Sequence, residues 1–175
     1  MKNNMPGKKH PKDRRRLRSW LLWEIGRFLS GKIASGEFDD AVFGKKHRIL
    51  IVGEDVTCYD TFYWFWQFYD DFKDRPWSEL FDPDDEHNAK TRRMIGDFLV
   101  LLTSDFEYND WGTGLIRRLK SLFQRRKQEA ALRAWPFRSE SERTAAWQDF
   151  ALHREEYVPG IIPQSVYEIY IKPSE

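Results

Sequence analysis

Apolar residues recur along most of the chain at the three-and-four spacing of an amphipathic helix. Leu17, Trp20, Leu21, Ile25 and Phe28 mark a first helix over about residues 15–30, stopped at Gly31. Ser35 then caps a second helix through Phe43, with Glu37 and Asp39 in a first turn where carboxylates favour the helix dipole. Residues 59–72 are the densest apolar stretch, with nine aromatic residues in fourteen. No period-two alternation runs through them. On a helix, Cys58, Phe62, Phe65, Trp66, Tyr69 and Phe72 share one face, and Asp60, Trp64, Gln67, Asp71 and Asp74 the other. The pattern therefore predicts a central helix from about Val56 to Phe72, broken before Pro76. Asp82-Pro83-Asp84-Asp85 reads as a further helix start: a cap, Pro at the first position and carboxylates in the first turn. That helix runs to about Ser104, and Met94, Ile95, Phe98, Leu99, Leu101 and Leu102 cover most of its circumference, which makes it the natural partner of the aromatic helix.

After the turn at Gly112 and Gly114, a helix is expected from about Leu115 to Trp135, ended by Pro136. Ser139 and Glu142 form a capping box that opens another, to about His153. Residues 165–171 alternate well enough for a strand, whose available partner is 49–52, a short apolar run that reads equally as a strand or as the lead-in to the central helix. The fold class is mainly α: a compact bundle of about five or six helices, with room for one minor two-stranded β pair. Residues 1–13 hold nothing that can be buried and are expected to form a disordered basic arm. Residues 14–175 then make a single helical domain, the default for this length.

Composition narrows the chemistry. The single cysteine, Cys58, excludes an internal disulfide and a cysteine metal cluster, and it falls on the apolar face of the central helix. The four histidines, His10, His47, His87 and His153, have no metal-ligand spacing. There is no phosphate-binding glycine loop, no Gly-x-Ser-x-Gly elbow and no His-Glu-x-x-His. No catalytic residue, metal or cofactor is accordingly assigned, and an enzyme using the acidic pairs Asp39/Asp40, Asp70/Asp71, Asp84/Asp85 or Asp105/Glu107 stands as the third reading. The basic N-terminus is not followed by the apolar stretch of a signal peptide, and no run reaches membrane-span length. A soluble cytoplasmic protein with no membrane partner is the expectation.

The net charge of +1 conceals a block pattern. Residues 1–18 carry +7, residues 54–111 carry −10 and residues 112–135 carry +6. Asp105 and Glu107 follow the C-terminus of the 82–104 helix, where carboxylates oppose the dipole. Either the helix stops early, or these carboxylates are held by cations from elsewhere, for which the segment from Arg117 to Lys127 offers the internal candidates. Of the acidic pairs, Asp84/Asp85 is explained by capping. Asp70 and Asp71, being adjacent on a helix, point about 100° apart and do not form a chelate by themselves.

Leu29-Ser30-Gly31-Lys32-Ile33-Ala34-Ser35-Gly36-Glu37-Phe38 resembles the helix–turn–helix opening of small bacterial helical proteins of the colicin D immunity-like family. Phe65-Trp66-Gln67-Phe68-Tyr69-Asp70-Asp71 and the stretch from Phe98 to Tyr108 resemble segments of uncharacterised bacterial proteins with the same opening. The likeness covers residues 17–111. It implies a non-enzymatic protein-binding module that blocks a basic nuclease toxin by presenting carboxylates, and the −10 stretch would steer such a partner. The residues expected at the contact are Asp70, Asp71, Asp105 and Glu107, with Trp64 beside them. The alternative is a nucleic-acid-associated protein using Arg14, Arg15 and Arg16 of the arm with Arg117, Arg118, Arg125 and Arg126 of the basic helix.

Overall fold

The computed structural model describes residues 11–43, 55–68, 74–107 and 134–172. These residues are mainly helical. Five helices have nine residues or more: α1 (Pro11–Leu29), α2 (Ser35–Phe43), α3 (Val56–Trp66), α5 (Ala89–Thr103) and α6 (Glu140–Leu152). Between and after them come single turns: α4 (Trp77–Leu80), a 3₁₀ turn (Glu86–Asn88), α7 (Arg154–Tyr157) and α8 (Gln164–Val166), which continues into a π-helix (Tyr167–Ile171). Among the described residues no helix is long and apolar enough to cross a membrane.

The bundle closes around α5. Its second half, Ile95 to Leu102, is buried on every side, as a helix apolar around its whole circumference must be. α1, α3, α6 and the π-helix pack on it. α3 packs on α5 as expected through Phe65, which approaches the Phe98 ring at 6.2 Å, but Trp64 of the face expected to turn outward lies closer still, with ring centroids 4.6 Å apart. Phe28 of α1 stacks on Phe38 of α2 at 4.9 Å, and its edge meets Trp77 at 5.2 Å. Trp77 passes the contact on to Phe68 and Phe81. Such ring pairs add about 0.5–1.5 kcal/mol beyond burial alone. The network ends at Tyr170, whose hydroxyl oxygen accepts from the Trp77 indole at 2.7 Å. Burial pushes that phenol up to about 12.

Several sequence expectations are corrected. α1 begins at Pro11, so the helix enters the segment expected to be an arm; Pro suits a first turn, whose N–H groups have no intrahelical partner. α3 stops at Trp66, and Gln67 and Phe68 form a turn, with the Gln67 N–H bonded to the Trp64 carbonyl. Asp82 does not start a helix. Its carboxylate accepts from the Asp84 N–H and Asp85 takes the His87 N–H, so two side-chain turns delay α5 to Ala89. Residues 165–171 are helical rather than a strand. Val166 and Tyr170 are buried four positions apart, and Pro163 stands as the cap at the head of the turn. Its expected partner 49–52, like most of the basic helix, lies outside the described residues. The capping-box serine does cap α6: Ser139 Oγ accepts from the Glu142 N–H at 3.2 Å, while Glu142 reaches back to the Arg138 N–H.

Candidate functional site

The two sets of residues expected to serve different partners meet each other. The first turns of α1 deliver Arg14 and Arg15 to the segment that leaves α5. Arg15 makes a two-pronged bond to Asp105, at 2.7 and 3.1 Å, and Arg14 reaches Glu107 at 3.3 Å. Arg138, just ahead of α6, takes the other Glu107 oxygen at 2.8 Å. Among the described residues the cations that hold these carboxylates come from α1 and from Arg138; the expected candidates at 117–127 lie outside the described residues. Arg15 holds the Asp105 carboxyl below its ordinary range. Arg16 is exposed.

One turn further in, Arg18 is buried. It donates to Asp55 at 2.7 and 3.4 Å, to the Thr57 hydroxyl at 3.2 Å, and to the carbonyls of Ser104 and Phe106 at 2.6 and 2.7 Å. Asp55 is also the N-cap of α3, accepting from the Thr57 and Cys58 N–H groups. The planar guanidinium fork suits this set, because it satisfies four acceptors from one position. Sequence reading grouped Arg18 with the arm and missed this role. The available signal was its spacing, since Arg18 stands three and four positions before Leu21 and Leu22, both fully buried. Asp55 was legible as an acidic residue directly ahead of the aromatic helix.

Trp64, expected on the outward face, is half-buried among Phe65, Phe68, Phe98 and Trp135. The outward face of α3 is one residue round. Tyr59 and Tyr63 stand 37% and 46% exposed, and their rings stack with centroids 6.3 Å apart. Tyr63 continues to Trp66 at 5.6 Å. Asp70 and Asp71 lie outside the described residues, as do Arg117, Arg118, Arg125 and Arg126.

Cys58 is sealed in the core, and burial raises its thiol well above the ordinary range, so it is a packed thiol and not an activated nucleophile. Among the described residues no group of three His, Cys, Asp or Glu side chains is placed to hold a metal ion. Asp97 of α5 is buried and accepts from both Arg143 Nε and Trp147 Nε1 at 2.8 Å; burial still raises its carboxyl. Comparisons with protein families, curated proteins and solved structures give no match to this chain.

Proposed function

We propose that the chain is a non-enzymatic protein-binding module, an immunity-like inhibitor of a basic protein, with its contact centred on the outward face of α3. The observation that carries the reading is the ladder of Tyr59, Tyr63 and Trp66, in ring contact and partly exposed, where most of the large apolar side chains among the described residues are buried. Tyr and Trp dominate binding hot spots because they combine a large apolar surface with a polar edge and few rotatable bonds. The acidic stretch supports a basic partner in a modified form. Asp55, Asp97, Asp105 and Glu107 are matched by arginines from outside that stretch. Glu79, Asp82, Asp84, Asp85 and Glu86 remain exposed and are the carboxylates such a partner would meet. The engagement of Arg14 and Arg15 weighs against the nucleic-acid alternative.

The test is affinity capture from the native host with the wild type and with Tyr59→Ser/Tyr63→Ser, each with and without nuclease treatment. The expected result is one stoichiometric basic protein that survives nuclease treatment and is lost with the double variant, whose melting temperature stays at the wild-type value. Equal capture by the variant would remove this face from the contact. Recovery of nucleic acid alone would move the function to Arg16 and the basic segment beyond residue 111.

A further inference from the structure

α5, α6 and the π-helix enclose a cleft of about 320 Å³ that the protein-binding reading does not use. Arg92 and Arg93 line it from α5, Arg143 and Trp147 from α6, and Ile169 and Lys172 from the C-terminal segment. Its volume is at the lower end of small-molecule sites, about 300–1,000 Å³. Three features give it the character of a built site. First, Asp97 fixes two of the walls from below, taking Arg143 through Nε and Trp147 through its indole N–H. Among the described residues the outer Nη groups of Arg143 have only a long contact to Glu140, at 3.8 Å.

Second, the cleft has surplus positive charge. Arg143 is matched by Asp97 and Lys172 by Glu168, whereas Arg92 donates to the Pro83 carbonyl and neither it nor Arg93 pairs with a carboxylate among the described residues. Third, the apolar wall comes from a π-helix, a form that recurs at functional sites because its wider turn displaces side chains from regular helical positions. That turn lies directly on α5: a Cβ at Gly96 would collide with the Tyr170 carbonyl oxygen. Ile169, one of the few large apolar side chains left exposed, is part of this wall.

We propose that the cleft binds a small phosphate monoester with a flat or apolar body. A phosphate monoester carries about −1.5 to −2 charge at neutral pH and three acceptor oxygens, which matches two guanidinium groups that have no carboxylate partner among the described residues better than a single carboxylate does. Arginine forks bind phosphate oxygens bidentately, and the Trp147 ring with Ile169 provides a surface for the organic body. The site is built on elements other than α3, so its failure would leave the protein-binding reading standing.

Isothermal titration calorimetry on the full chain tests it with phenyl phosphate, benzoate, inorganic phosphate, AMP and a 5′-phosphorylated trinucleotide. Phenyl phosphate and AMP are expected to saturate, with benzoate and inorganic phosphate each at least about tenfold weaker, a difference of roughly 1.4 kcal/mol. The trinucleotide distinguishes the source: binding equal to or tighter than AMP identifies a nucleic-acid 5′ end, and weaker binding a free metabolite. Arg93→Glu, at an exposed position, is expected to weaken AMP by more than about tenfold with the ligand-free melting temperature unchanged. Trp147→Leu should weaken phenyl phosphate while leaving inorganic phosphate unaffected. Absence of saturation by any monoester up to about 5 mM, weaker than nearly any functional affinity, would overturn the proposal. So would AMP binding indifferent to Arg93→Glu, or benzoate binding as tightly as phenyl phosphate.

Discussion

Arg15 and Arg18 stand three positions apart on α1, and each meets an aspartate at 2.7 Å. Their surroundings differ completely. The Arg15 and Asp105 side chains are 71% and 75% exposed, whereas those of Arg18 and Asp55 are 5% and 3% exposed. In water the Coulomb gain of such a pair is small and is offset by the entropy of holding two long side chains. In the interior the same charges have lost their hydration, and each is tolerated only while the other remains. The outer pair therefore adjusts surface charge, and the inner one specifies how α1, the start of α3 and the exit of α5 must be assembled.

The largest effect should come from breaking the inner pair. Arg18→Ala strands Asp55 and two carbonyls, and a loss of about 3–5 kcal/mol is expected in urea unfolding, a large part of the 5–15 kcal/mol typical of a domain. Arg18→Lys sharpens the point. It keeps the charge but cannot reach Asp55, Thr57, Ser104 and Phe106 together, and about 1–3 kcal/mol should be lost. The outer pair should behave differently: Arg15→Ala is expected to cost less than about 1 kcal/mol, and the difference should vanish in about 1 M salt, where screening acts within roughly 3 Å.

The smallest effect is a pH dependence. Because Arg15 lowers the Asp105 pKa from 3.8, the stabilisation is present above that value and is lost as pH falls through the depressed folded value. Asp97 has the opposite sign. Its raised pKa gives a contribution that is present below 3.8 and lost as pH rises through the folded value. Unfolding of Asp105→Asn and Asp97→Asn between about pH 3 and 6 should therefore flatten opposite arms of the stability curve. Identical profiles would show that neither carboxylate is linked to folding.

Much of the helical pattern was readable because buried positions repeat at helical spacing, as in Leu21, Ile25 and Phe28 or Ile95, Phe98 and Leu102. The Ser139 cap was readable from its local chemistry. Element ends were harder to place. Asp82 and Asp85 compete for backbone N–H groups that a helix would otherwise use, and the alternation in 165–171 fits a strand as well as a wide helical turn until α5 is there to pack against. The site was misread for a related reason. Charge blocks report sign and not position, so Arg14 and Arg15 on one side and Asp105 and Glu107 on the other appeared as two surfaces when they form one. The rotation of α3 by one residue, which turns Tyr59 and Tyr63 out and Trp64 in, depends on the Phe98 and Trp135 rings contributed from elsewhere.

The acceptors that satisfy Arg18 lie 37, 39, 86 and 88 positions further along the chain. Synthesis proceeds from the N-terminus, so α1 is complete long before Ser104 and Phe106 exist. Until then Asp55 and Thr57 are the partners at hand, and the two carbonyls that complete the set are still missing. Closing such distant contacts carries a loop entropy that grows only slowly with length, so the delay is one of order and not of stability. Arg18 thus joins parts of the chain made at different times: the exit of α5 completes a site that α1 and the start of α3 begin.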